Sequence, residues 1–202
     1  MRIAVLSIFA AAAAPAWAGD VTVDVRDQTG RAVENAVVLV RPAGGAAGQP
    51  VRFTWPLVMT QQDIAFQPYV LIVPVGSTVN FPNKDRVRHH VYSFSAARRF
   101  ELKLYGRDET RSVTFDKPGA VPLGCNIHDQ MIAYIYVSDT PFAMKTGASG
   151  QATLRGVPAG AATLTVWHPN LKARTPAAVR LSVGAGPQRQ AAAIELHAAP
   201  AR

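Results

Sequence analysis

The sequence predicts an all-β fold: a Greek-key β-sandwich accompanied by a second, smaller β-sandwich. Three observations carry this expectation. Apolar runs of strand length recur between turn residues, with 15 Gly and 15 Pro spread as punctuation over 202 residues. No segment keeps a 3.6-residue apolar period over the length of a helix. The two ends of the chain also share a texture that the middle lacks, which argues for one sandwich flanking another.

The elements follow in order. VTVDV (21–25) alternates like a half-buried strand, DQTG (27–30) is a turn, and AVVLV (36–40) is a buried strand. PAGGAAGQP (42–50) reads as a linker. The texture changes near Val51. YVLIVPVG (69–76) is a long apolar strand, and STVNFPN (77–83) sets Val79 and Phe81 on one face. HHVYSFS (89–95) is a further strand. In FELKLY (100–105), alternation sets Phe100, Leu102 and Leu104 against Glu101, Lys103 and Tyr105. RSVTFDKPG (111–119) is a strand and turn, and VPLGC (121–125) and AYIYVSD (133–139) are strands around a short loop. Beyond Asp139 the first texture returns. Two Gly-bearing turns precede the strand TLTVW (163–167), followed by AVRLSV (178–183) and AAIELHA (192–198). The expected domains are therefore 20–45 with 140–200, and 51–139.

The N-terminus reads as a secretory signal peptide. Met1-Arg2 is followed by an apolar run over 3–14 and by Ala16-Trp17-Ala18, so cleavage is expected after Ala18. No later apolar run is long enough to span a bilayer, so no membrane span is expected after cleavage. The expected location is the periplasm. Cleavage removes one Arg and no acid, so 21 Lys+Arg against 13 Asp+Glu becomes a net charge of about +7. A basic exported chain without Lys/Arg runs interleaved with aromatics excludes nucleic acid as the expected partner and favours an acidic protein.

Cys125 is the sole cysteine. In an oxidising compartment it has no partner within its chain, which leaves an intermolecular bridge, a reactive thiol or a metal ligand. It begins CNIHDQM, where His128 and Met131 follow at intervals of three. Thiolate, imidazole and thioether are soft to borderline ligands, and His89-His90 at a strand start offers a second imidazole. Neighbours on a strand face opposite ways, so only one of that pair reaches a common centre. Two His, one Cys and an axial Met form the blue-copper pattern. A zinc site suits the set poorly, because Met is a poor zinc ligand. A Cys–His nucleophile would need an orienting group, for which only Asn126 and Asp129 lie near in sequence, and no family signature accompanies them.

C-x2-H-x2-M with an upstream His resembles the cupredoxins, amicyanin-like in the shortness of its loop. VPVGSTVNFPNKDRVRHHV and FDKPGAVPLGCNIH are similar to the family's runs into its two ligand segments, and the resemblance covers residues 55–139. It implies one copper ion cycling between Cu(I) and Cu(II), held by His89, Cys125, His128 and axial Met131. The family usually has Asn after its first His, where it ties the ligand loops together; here His90 stands there. His90 and Asn83 are the expected supports behind the ligands. The resemblance implies an electron carrier and no enzyme. His128 would pass the electron through a patch containing Ile127 and Ile132, and Arg86, Arg88, Arg98 and Arg99 would steer an acidic redox partner. The whole chain is also similar to exported bacterial proteins labelled "methylamine utilization protein", which implies only an association. The two end segments resemble carboxypeptidase regulatory-like domains, which are transthyretin-like sandwiches that bind or scaffold. Copper carriage without electron transfer and a metal-free scaffold are the competing classes.

Overall fold

The computed structural model describes residues 18–45 and 50–197. The expected signal peptide lies outside the described residues except for Ala18, and so does 46–49 of the expected linker. Every regular element among the described residues is a strand. In chain order they are β1 (Ala18–Asp27), β2 (Val37–Pro42), β3 (Thr60–Gln62), β4 (Ala65–Gln67), β5 (Val70–Pro74), β6 (Ser77–Pro82), β7 (His89–Phe94) and β8 (Arg99–Tyr105). They continue as β9 (Thr110–Phe115), β10 (Gly119–Cys125), β11 (Ile132–Ser138), β12 (Ala143–Lys145), β13 (Gln151–Pro158), β14 (Gly160–Trp167), β15 (Ala178–Val183) and β16 (Gln188–Ile194).

The central sandwich has one five-stranded sheet, ordered β5-β11-β10-β7-β8. The β6–β9 pair faces it, extended by the β3–β4 hairpin through bridges from Val58 to Asn80 and from Gln61 to Asn83. Alternating residues meet between the layers: Val79 and Phe81, Val113 and Phe115, Leu71 and Val73, and Val121, Leu123 and Cys125. The metal-ligand candidates thus sit at the end of a packed core.

A second sandwich encloses the first in sequence. Sheet β13-β1-β16 packs on sheet β12-β2-β14-β15 around Val21, Val23, Val25, Val38, Val40 and Leu164. β16 runs parallel beside β1, from Val21 against Gln188 to Asp27 against Ile194. β16 therefore begins before the run 192–198 expected from sequence.

The unbroken apolar runs in β2 and β5 follow from burial on both faces. Val38 and Val40 fill the second core and Leu71 and Val73 the first, while Val37, Leu39, Val70 and Ile72 meet between the sandwiches with Tyr136 and Ala143. Trp55 and Trp167 pack at this seam. Trp55 donates Nε1–H to the Ile72 carbonyl at 2.7 Å, and Trp167 lies 5.2 Å from the Tyr136 ring.

The expected alternation in β8 is overturned at its end. His89 pairs with Tyr105 but Val91 pairs with Leu102, so β8 carries one extra residue opposite His90. This bulge flips the strand's faces. Leu104 is exposed and Tyr105 is buried, the reverse of the simple alternation.

Candidate metal centre

Two strands bring the donors together. β7 alternates cleanly: His89, Val91 and Ser93 point into the core, while His90, Tyr92 and Phe94 point outward. β10 delivers Cys125 beside β7, where Cys125 pairs with Val91. The loop after β10 then turns back, with the Met131 amide donating to the His128 carbonyl at 2.9 Å. Cys125 Sγ lies 3.8 Å from His89 Nδ1 and 3.7 Å from His128 Nδ1. The three donor atoms all fall within 4.8 Å of one another. His89 and Cys125 are buried and His128 is half-buried. Met131 is buried in the same core cluster as Cys125.

The chemistry of this set fits a single copper ion. Two imidazole nitrogens and a thiolate are borderline and soft donors, and they converge from separate strands with a buried thioether nearby. His89 is held in the required orientation. Its Nε2–H donates to Asp85 Oδ2 at 2.7 Å, which leaves the Nδ1 lone pair toward Cys125.

Asp85 is the residue of this cluster that sequence reasoning missed. Its carboxylate also accepts the amides of Asp63 at 2.6 Å and Ile64 at 3.1 Å. Those two residues form the β3–β4 turn with φ of 56° and 54°, a left-handed pair typical of a tight hairpin but costly for Ile. The available signal was an acid four residues before His89, within PNKDRVRHH.

Asn83 touches neither imidazole. Its amide donates to the Val87 carbonyl at 2.9 Å and the Tyr105 carbonyl at 3.1 Å, and its Oδ1 accepts the Asp85 amide at 2.8 Å. It thus fixes the loop that carries Asp85. The expected support from the His90 side chain is corrected. Strand alternation turns it to the outer face, where Nε2 meets Glu101 at 2.9 Å. Its backbone makes the tie instead: the Asn126 amide donates to the His90 carbonyl at 3.1 Å and joins the two ligand segments.

Gly124 shapes the outer side. A Cβ there would lie 2.8 Å from the Tyr92 ring, so only glycine lets that ring rest on the backbone next to Cys125. On the inner side, burial pushes the Tyr105 phenol up to about 12, opposed by its bond with Gln61 and by the Arg111 charge. Tyr105 donates to the Phe81 carbonyl at 3.0 Å and receives the Gln61 amide. Around the mouth, Ile127 and Ile132 are 48% and 49% exposed, and Arg86 and Arg88 are exposed. Arg98 and Arg99, expected among the steering charges, lie instead at the far end of β7 from His89, because β8 runs antiparallel to β7 and Arg99 pairs with Phe94. Arg99 lies over the Phe94 ring and Arg98 meets Asp116 at 3.7 Å. His168 is buried by the second sandwich and accepts the Asn170 amide at 3.1 Å, while His197 is exposed.

No protein-family model matches the chain, and no curated protein matches it. Among solved structures it is similar to a copper-containing nitrite reductase from Thermus scotoductus SA-01. The two are 30% identical over 46% of this chain and 26% of that one, with a TM-score of 0.40. The chain thus spans about a quarter of the reductase's length. It is also similar to two point mutants of amicyanin, one reduced and one oxidised. Each is 21% identical, over 52% of this chain and 100% of theirs, with a TM-score of 0.37.

Proposed function

We propose that this chain is an exported, periplasmic blue copper protein that carries single electrons between protein partners. The observation that carries the reading is the convergence of Cys125 Sγ, His89 Nδ1 and His128 Nδ1 within 4.8 Å, from two separate segments. In this reading those three side chains would hold the ion, with the buried Met131 thioether as a fourth, weaker donor. A bound copper ion supplies a Cu(II)/Cu(I) couple whose thiolate bond gives strong covalency and intense colour.

The chain's own residues then divide the remaining work. Asp85 holds the His89 ring, Asn83 holds Asp85, and the bond from Asn126 to His90 fixes the distance between the segments. A site so braced changes little between charge states, which favours fast transfer. His128 is the least buried donor and sits between exposed Ile127 and Ile132, so it is the exit for the electron. Arg86 and Arg88 add positive charge near the His89 strand and steer an acidic redox partner. No catalytic role is assigned to any residue.

Copper(II) titration with visible spectroscopy tests the reading. The wild type develops an intense thiolate-to-copper band. Cys125→Ser abolishes it, and Met131→Leu keeps the colour and raises the potential. A band that survives Cys125→Ser overturns the ligand set. A coloured protein that no periplasmic donor reduces points to copper carriage instead.

A further inference from the structure

A cavity of about 640 Å³ opens at the seam between the two sandwiches, away from the metal-ligand candidates. Trp55, Pro56, Val58 and Pro68 wall it from the central sandwich, and Met144 and Lys145 from β12 of the other. The wall is preformed. Trp55 is pinned by its bond to the Ile72 carbonyl and backed by Phe53, stacked at 4.6 Å with the rings 7° apart. Ligand pockets are commonly apolar cavities of about 300–1,000 Å³ at domain junctions, with few polar groups placed to orient the occupant. Thr60 and Gln67 supply neutral hydrogen-bonding groups, and Lys145 is the one charged residue on the wall.

Lys145 has no carboxylate within ion-pair distance among the described residues. Burial pulls its pKa below the ordinary lysine value, and Glu34 opposes this only from a distance. A half-buried ammonium on an apolar wall is incompletely compensated, and an anionic group beside it restores the balance.

The geometry points to a binding site for a small carboxylate with an apolar body, its hydrocarbon or ring lying against Trp55 and Met144 and its carboxylate on Lys145. Such an occupant touches both sandwiches at once. The site is independent of copper, so it stands or falls separately from the metal reading.

Calorimetric titration of the full copper-free chain tests it. The probes are 4-phenylbutyrate and decanoate, with 4-phenylbutanol and 4-phenylbutylamine as neutral and cationic matches. The acid is expected to bind about tenfold or more tightly than the alcohol, and the amine to bind most weakly. Lys145→Met removes the acid's advantage and leaves the alcohol's affinity unchanged. Val58→Trp, with its fold checked by circular dichroism, fills the cavity and removes binding of all four probes. Equal binding of acid, alcohol and amine, an unchanged acid affinity in Lys145→Met, or no binding of either acid at millimolar concentration overturns the proposal. If Val58→Trp fails to fold, the Lys145→Met comparison decides alone.

Discussion

At the scale of a residue, Asp85 joins the ligand strand to a hairpin turn. One carboxylate receives His89 Nε2–H and the two amides of the Asp63-Ile64 turn, so the His89 ring and the turn are fixed together. Asp85→Asn keeps the shape but removes the charge and part of the acceptor capacity. Copper affinity is expected to fall about 10–100-fold, as when other outer partners of metal-bound histidine are lost. Competition against a copper chelator measures it. Folding stability should drop by about 0.5–1.5 kcal/mol, because a part-buried turn amide loses its acceptor. An unchanged copper affinity would show that Asp85 only braces the turn. The donors of CNIHDQM were legible in sequence because their spacing is local and their softness is a property of side-chain type. Asp85 was not, because its role exists only once the loop from Asn83 to Val87 has closed.

At the scale of an element, β7 and β10 set the site by where their neighbours permit close approach. The hydroxyl end of the Tyr92 ring lies against Gly124, one residue before Cys125 in the same strand. Gly124→Ala forces the half-buried ring aside and is expected to destabilise the fold by about 1 kcal/mol. Tyr92→Ser in the same chain removes the clash, so chemical denaturation of the double-mutant cycle should show most of that loss recovered. Additive effects of the two substitutions would mean that the ring does not press on the glycine. The same sheet shows why alternation read most strands and misread one. In β7, β10 and β11 the pleat is unbroken and the apolar faces follow the sequence. In β8 the bulge opposite His90 inserts a residue, and no residue type in RFELKLY signals it. The β3–β4 hairpin was equally hidden, because its turn is Asp63-Ile64 where a Gly or Asn would have marked it. β13 was read as turns because Gly150 directly precedes it and Gly156 interrupts its alternation, yet it pairs with β1.

At the scale of the molecule, the two sandwiches share a buried apolar seam beside the open cavity. Val37, Leu39, Val70 and Ile72 are buried there, each worth roughly 1.5–3 kcal/mol against exposure. Together these are comparable with the whole stability of an ordinary domain, about 5–15 kcal/mol. The sandwiches are therefore expected to unfold as one unit. Leu39→Ala should lower stability by about 2–5 kcal/mol while keeping a single transition. Far-UV circular dichroism and the visible band of the copper-loaded chain should then be lost at one temperature; two separated transitions would refute the shared seam. The doubly apolar runs in β2 and β5 announced burial on both faces, but not which layers would meet, because the pairing partners are distant in the chain. The parallel alignment of β1 with β16 was hidden for the same reason. That alignment has a temporal consequence. Gln188, where that alignment starts, is made long after residues 57–138 of the central sandwich. Until that late strand arrives, β1 is flanked by β13 alone, so a chain cut short within 159–187 would leave this sheet with an open edge along Val21–Asp27.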